Sequence, residues 1–199
     1  MPSLSTNLRN DLARAITNAR RVAEAGARTA LETMAVQRHE PHSSMSVQER
    51  TLRTHLRARG RQLGDVRDRV SGTQSIDRLA HEVAYEHWHR MLFARFLAEN
   101  SLLIEPESGV AITMDECEEL AREAGDDPRT LASRFAQGSL PQIFRSGDPV
   151  LDVTLAPETR QALDSLLDRL PSAVFTADDS LGWTYQYWQT EKKDAINES

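Results

Sequence analysis

Residues 178–194 read DDSLGWTYQYWQTEKKD, and this stretch holds two of the three tryptophans and two of the three tyrosines of the chain. Asp178 or Asp179 can cap a helix here, because an aspartate side chain accepts hydrogen bonds from free first-turn amides. The large apolar side chains on or beside one face of that helix are Trp183, Tyr187, Trp188 and Ile196. Such a face must be buried. The sequence therefore predicts that the upstream chain folds back on this helix, or that a partner covers it.

Upstream of this stretch, the first 72 residues predict a long, basic helical hairpin. Apolar residues at helical spacing indicate a first helix from Ser5 or Thr6 to about Arg38. The sequence Ser46-Val47-Gln48-Glu49 has the form of a capping box and begins a second helix, which the Ser-Gly-Thr break at 71–73 ends. We expect the second helix to carry an apolar stripe made of Leu52, Leu56, Leu63, Val66 and Val70.

Residues 73–199 predict an acidic helical region. A third helix, from Ser75 to about Glu99, has apolar residues around most of its circumference, which is typical of a central, largely buried helix. Two short apolar runs between residues 102 and 112 can form at most a small β-hairpin. Three shorter helices follow: from a capping box at Thr113 to Gly125, over residues 128–135, and from Pro157 to Pro171. The predicted fold class is therefore mainly α.

Composition indicates a globular protein of the cytoplasm. The net charge of −6 conceals a division, because residues 1–70 hold thirteen Arg and seven Asp or Glu, for a charge of +6, which leaves −12 for the remainder. We find no apolar run long enough for a membrane span and no signal peptide, so no membrane partner is expected. The single cysteine, Cys117, excludes a disulfide within the chain, and we interpret it as a buried filler.

Three runs in the second half of the chain carry a resemblance to a known family. They are HEVAYEHWHRMLFARFLAEN at 81–100, LPQIF at 140–144, and LGWTYQYW at 181–188 followed by Lys192, Lys193, Asp194, Asn197 and Ser199. These runs resemble segments of large adenine-specific DNA methyltransferases, found in BREX- and DISARM-type phage defence and in restriction enzymes that fuse methylase and nuclease. The resemblance covers about residues 75–199, and residues 1–70 carry no matching motif.

The resemblance implies a function and a cofactor for the complete enzyme. Members of this family transfer a methyl group from S-adenosylmethionine to N6 of adenine in duplex DNA, and the similar segment lies in their N-terminal helical region, before the methylase domain. This chain contains no Gly-x-Gly turn and no Asn-Pro-Pro loop, so we expect it to hold no catalytic and no cofactor-binding residue. Its expected partners are the methylase domain, other subunits of the defence system, and duplex DNA.

Six of the seven arginines at positions 50–69, all except Arg59, suggest how DNA could be bound. Four of them follow helical steps of three and four and line one face of the second helix: Arg50, Arg53, Arg57 and Arg61. Such a row of guanidiniums can follow the phosphate backbone without reading sequence. The competing interpretation is a solvated face that pairs with the acidic half of the chain.

A cluster of His and Glu at residues 81–89 raises the question of a metal. Its members are His81, Glu82, Glu86, His87 and His89. A zincin helix needs two His four residues apart, whereas Tyr85 follows His81 at that distance, and a di-iron site needs a second Glu-x-x-His that we do not find. We therefore predict hydrogen-bonded packing on a buried helix and no metal ligand.

The sequence favours an N-terminal helical module of an adenine-specific DNA methyltransferase, without its catalytic domain, from a restriction-modification or phage-defence system. One alternative is a standalone helical adaptor that binds a protein partner through the C-terminal aromatic helix. A second alternative is a metalloenzyme built on the histidine-rich helix. These hypotheses differ in what the aromatic helix and the arginines should contact.

Overall fold

The computed structural model describes residues 3–141 and 147–197 and consists mainly of α-helices. The helices in these ranges are α1 (Thr6–Thr33), α2 (Val47–Leu63), α3 (Asp77–Glu99), α4 (Met114–Ala124), α5 (Pro128–Ser139), α6 (Pro157–Asp168), α7 (Ser172–Phe175) and α8 (Ser180–Asn197). A short 3₁₀ helix covers Pro149–Asp152. The predicted fold class is confirmed. In place of the possible β-hairpin, a single bridge joins Ile104 and Ala111, and the described ranges contain no strand.

The helix ends that the sequence marked most clearly lie where it predicted them. Ser46 Oγ accepts from Glu49 N at 3.2 Å, and Glu49 Oε2 accepts from Ser46 N at 2.7 Å, which completes the capping box of α2. Thr113 and Glu116 make the same reciprocal pair at α4. Such caps satisfy backbone amides that a helix leaves without partners, and all their atoms lie within four consecutive residues.

Two predicted features of the first 72 residues are wrong. Helix α1 ends at Thr33 rather than near Arg38, and Ala35 follows with a left-handed φ of 52°. Helix α2 ends at Leu63, because Gly64 takes a left-handed φ of 104° as its C-cap. Val66 and Val70 therefore lie beyond the helix, where they are 73% and 98% exposed instead of joining its apolar stripe.

The chain forms two compact units, each assembled from segments that are far apart in sequence. One unit comprises Met1–Ala19, His89–Ser146 and Ser165–Ser199, and the other comprises Arg20–Trp88 and Gly147–Asp164. The sequence instead divided the chain near residue 72, where its charge changes sign. The division near residue 72 remains a prediction that rests on composition. Each compact unit contains residues from both sides of residue 72.

Helix α3 is largely buried, as its sequence predicted. Leu79, Val83 and Trp88 on its first half are almost fully buried, and so are Leu92 and Leu97 on its second half. The second half contributes to an apolar cluster of the first unit, whose other members include Leu103, Ile112, Cys117, Ala121, Leu131, Ala132 and Ala136. Leu181 of α8 packs against this cluster.

A close approach in the second unit gives a stability prediction. A Cβ added to Gly26 of α1 would lie 2.4 Å from Thr159 Cγ2 of α6. We expect Gly26→Ala to lower the free energy of unfolding by about 2 kcal/mol, despite the better helix propensity of alanine, because a short branched side chain cannot move away cheaply. Urea unfolding of Gly26→Ala, Thr159→Ala and the double variant measures this.

In this double-mutant cycle the Thr159→Ala change should recover most of the loss, since it removes the clashing methyl and hydroxyl groups. Equal losses for Gly26→Ala with and without Thr159 would contradict the close approach.

As for membranes, none of the helices in the described ranges combines the length and apolarity required to cross a bilayer.

Candidate functional site

Arg53, one of the four arginines predicted to contact DNA, is a buried structural side chain. It is 6% exposed, and its guanidinium donates to carbonyl oxygens of the α1–α2 connection. Its Nε donates to Ala35 O at 2.9 Å, and its terminal nitrogen donates to Arg38 O at 2.6 Å and to His39 O at 3.1 Å. Burial lowers the pKa of Arg53 below its ordinary value. The side chain is therefore committed to holding this connection in place.

Arg57, one turn further along α2, is also a buried structural side chain. It holds both the α1–α2 connection and the segment that follows α2. It is 8% exposed and donates to Val36 O at 2.6 Å, to Arg38 O, and to Gly72 O at 2.9 Å. Burial lowers the pKa of Arg57, and the positive charges of Arg53, Arg67 and Arg61 lower it further. Four guanidiniums are thus close enough to repel one another.

The other two arginines of the predicted row are exposed. Arg50 donates to carbonyl oxygens at the start of α2, at 3.0 Å to Met45 O and 3.1 Å to Ser43 O. Arg61 donates to Gln74 Oε1 at 3.1 Å. The prediction that all four form one solvent-facing row is therefore wrong for Arg53 and Arg57. The physical reason is that the chain leaving α1 presents carbonyl oxygens that need donors, and spacing on α2 alone does not reveal them.

The segment that follows α2, which we call the 64–76 loop, is fastened by a buried carboxylate. Asp65 is buried and accepts from the amides of Arg78 and Leu79, at 2.9 and 3.1 Å, in the first turn of α3. An anion is favourable there because unpaired amides point outward at a helix N-terminus. Gln74, also buried, donates from Nε2 to Arg57 O at 3.0 Å.

The tip of the 64–76 loop is a compact turn. Asp68 Oδ1 accepts from the amides of Val70 and Ser71 at 2.8 and 2.6 Å, and Asp68 N donates to Thr73 O at 2.8 Å. Gly72 has a left-handed φ of 69°, and a Cβ there would lie 2.1 Å from the ring of His39, so only glycine fits. The loop therefore presents Arg67, Arg69 and Val70 to solvent on a well-supported backbone.

The histidine-rich helix shows separate packing roles rather than one shared centre. His81 Nδ1 donates to Glu24 Oε1 at 2.8 Å, and this bond is the main cause of a lowered pKa of Glu24. His87 Nε2 donates to Val150 O at 3.3 Å, and Glu82 pairs with Arg59 at 2.8 Å. Burial lowers the pKa of His89, whose ring lies 5.6 Å from that of Phe93.

Glu86, the remaining member of the histidine-rich cluster, is half-buried. Within the part of the chain that the structure describes, no three His, Cys, Asp or Glu side chains are grouped as metal ligands would be. The packing roles predicted for the cluster agree with these contacts.

One side of the aromatic helix α8 packs against the upstream chain over residues 180–189. Asp179, at its N-terminus, accepts from Leu4 N at 2.8 Å and from Trp183 Nε1 at 2.9 Å. These hydrogen bonds, in that order, lower the pKa of Asp179. Arg9 of α1 lies 5.1 Å over the Trp183 ring, at a distance typical of a cation–π contact. The N-terminal ends of α1 and α8 therefore meet within the first unit.

The remaining aromatic side chains of α8 differ in exposure. Trp188 is 1% exposed, and Tyr187 stacks on Trp183 with a ring separation of 5.5 Å. Tyr185 is 61% exposed. The prediction for the Ile196 side chain, and residues 142–144 of the LPQIF run, lie outside the described part of the chain, whereas Leu140 packs against the apolar cluster of the first unit.

Cys117 lies in the apolar cluster of the first unit and is fully buried. Burial raises the pKa of its thiol to about 11. We expect N-ethylmaleimide at pH 8 to leave the folded protein unmodified and to add one group after unfolding in urea, because the thiolate is the reactive form. Intact-mass spectrometry measures the addition, and fast modification of the folded chain would contradict this burial.

Comparison with known proteins adds no relative to this description. The geometry thus gives the aromatic helix and two of the four arginines structural roles, and the 64–76 loop carries the exposed side chains of Arg67 and Arg69. A function for the chain has to be argued from these residues. No protein-family model, no curated protein and no solved structure matches the chain.

Proposed function

We propose that this chain is an N-terminal helical module of an adenine-specific DNA methyltransferase from a restriction-modification or phage-defence system, without the catalytic domain. The observation that carries the proposal is the run LGWTYQYW at residues 181–188, which resembles the segment that precedes the methylase domain in that family. The complete enzyme would use S-adenosylmethionine to methylate N6 of adenine in duplex DNA. In this proposal the module positions the methylase domain and the DNA.

The contacts made by the similar residues support a positioning role. Trp183 is held by Asp179 and Arg9, and Trp188 is buried. Residues that build a rigid support need packed side chains and satisfied polar groups, whereas reacting groups need access to substrate. The resembling run therefore fits a module that holds another domain in place.

The methylase proposal is tested by measuring the modified base. In the source organism, mass spectrometry of digested genomic DNA should detect N6-methyladenine, and an in-frame deletion of residues 75–199 should abolish the share made by this system. Reinstating the intact gene on a plasmid is the control. Equal N6-methyladenine content with and without the segment, together with a reading frame that ends at Ser199 and no neighbouring methylase gene, would reject the proposal.

The exposed side of α8 favours a second candidate function, a helical adaptor for a protein partner. Tyr185 projects from the same helix that buries Trp188, and exposed aromatic side chains are enriched at binding surfaces. An adaptor of this kind should be folded and monodisperse alone, and light scattering on a sizing column with hydrogen exchange of α8 can establish that. Tyr185→Ala should then weaken a purified partner's binding without changing the exchange rates of α8.

A further inference from the structure

Positive charge is concentrated around the 64–76 loop. Arg67 and Arg69 are exposed on the loop, and Arg61 and Arg78 are exposed at the helix ends that flank it. Beneath the loop, Arg53 and Arg57 donate to backbone carbonyl oxygens. These two buried guanidiniums therefore have hydrogen-bond partners that carry no charge.

The nearby carboxylates neutralise this charge only in part. Asp65 is buried against the amides at the start of α3, and Asp68 is turned onto the amides of its own loop. Asp77 pairs with Arg28 at 2.6 Å. Because buried charge is weakly screened, the guanidiniums of Arg53 and Arg57 add to the positive charge of the exposed arginines, although Glu40 offsets part of the charge of Arg53.

The loop is also preorganised for binding. Arg57 is hydrogen-bonded to Gly72, Asp68 closes the turn, and Asp65 ties the loop to α3. A surface that is already ordered loses little conformational entropy when it binds. Val70, 98% exposed between these arginines, adds an apolar side chain at the tip.

We propose that the 64–76 loop, through Arg67 and Arg69 together with Arg61 at the end of α2, is the docking surface for the phosphate backbone of duplex DNA. This inference rests on the proposed function and replaces the predicted arginine row of α2 as the contact. Duplex DNA is favoured by charge complementarity, since it carries one phosphate charge for about every 1.7 Å of axis. Residues 61–78 contain no aromatic side chain on which an unpaired base could stack, which disfavours single strands.

The test compares duplex binding by the full chain with that of the Arg67→Gln/Arg69→Gln variant. Fluorescence anisotropy with a labelled duplex of about 20 base pairs is recorded at several salt concentrations between 50 and 200 mM. We expect the slope of log affinity against log salt to fall by about 2, so that the loss of affinity across this range shrinks about tenfold. The matched control is Arg14→Gln/Arg122→Gln, which removes two exposed arginines that pair with Asp11 and Glu118.

A second readout follows the tip of the loop directly. Val70→Cys supplies the reactive thiol for an environment-sensitive fluorophore, because Cys117 is buried. Duplex DNA should change the emission of this label, and polyglutamate at equal charge concentration should not. Circular dichroism confirms that the variants are folded.

Three results would overturn the inference. They are no duplex binding by the unmodified chain at 50 mM salt, an unchanged salt slope in the loop variant, and an equal response to polyglutamate. The last of these would identify an acidic protein as the occupant. If the loop fails these DNA-binding tests while the N6-methyladenine content still depends on residues 75–199, only the docking surface is rejected. If the loop binds duplex DNA but the N6-methyladenine content does not depend on residues 75–199, only the methylase proposal is rejected.

Discussion

Replacing Trp188 by alanine should lower the free energy of unfolding by about 4 kcal/mol, the largest effect we expect from a single substitution in this chain. Trp188 is 1% exposed, although it lies only a few residues from the end of the described chain. Truncation removes a large buried apolar surface and leaves a cavity that packed neighbours fill only partly. Urea unfolding followed by circular dichroism measures the loss.

The control for Trp188 lies one turn earlier on the same helix. Tyr185→Ala removes an aromatic side chain that is 61% exposed, and we expect a change within about 0.5 kcal/mol. Hydrogen exchange should show slow amides at residues 183–189 in the unmodified chain and faster ones in the Trp188 variant. Small and equal effects of both substitutions would mean that α8 is not part of the core of the isolated chain.

The outcome for Trp188 also bears on the choice between functions. If α8 is core, a partner protein can use only its exposed side, which Tyr185 marks. If α8 is weakly held, the whole aromatic surface is available for an intermolecular interface, and the adaptor function gains support. The experiment is therefore informative whether or not a partner has been identified.

Replacing Arg57 by alanine should lower the free energy of unfolding by about 3 kcal/mol, although arginine is most often a surface residue. The substitution deprives Val36 O and Gly72 O of their charged donor where water has little access, while Arg38 O keeps its hydrogen bond from Arg53. A buried polar group left without a partner costs about 1–3 kcal/mol. Urea midpoints at constant slope measure the change.

Arg50 provides the matched control for Arg57. Its guanidinium also donates to several backbone carbonyl oxygens, but it is exposed, so water can replace it. We expect Arg50→Ala to cost less than about 1 kcal/mol. Arg57→Lys keeps the charge but not the planar fork of donors and should recover less than half of the loss. Equal stability of the Arg57 and Arg50 variants would refute the buried clamp.

These stability effects change how DNA-binding experiments on the arginines should be interpreted. Phosphate contact by the predicted arginine row would be tested by Arg53→Ala combined with Arg57→Ala. In the structure both side chains hold the α1–α2 connection, and Arg57 also holds the 64–76 loop, so weaker DNA binding by that variant could follow from loop disorder. Arg67 and Arg69 are exposed on the loop and allow contact to be tested with the fold intact.

Much of the helical architecture could be predicted from the sequence, because its signals are local. The capping boxes at Ser46 and Thr113 join atoms three residues apart, and the broad apolar surface of α3 follows from its own composition. The predicted end of α2 at residues 71–73 is wrong because Gly64 is its left-handed C-cap. Because α2 ends before them, Val66 and Val70 are exposed.

The candidate site could be predicted only in part, since its partners come from distant positions. The spacing of the α2 arginines placed them on one helix, but Arg57 finds its acceptors 15 to 21 residues away, and Asp179 finds Leu4 at a separation of 175 residues. The methylase resemblance stays a proposal, tested by the modified base. The sequence by itself determined which segments are helical, because caps and apolar faces are local. Only the tertiary structure decided which arginines are exposed, because the carbonyl oxygens that accept hydrogen bonds from the buried Arg53 and Arg57 come together only when the chain folds.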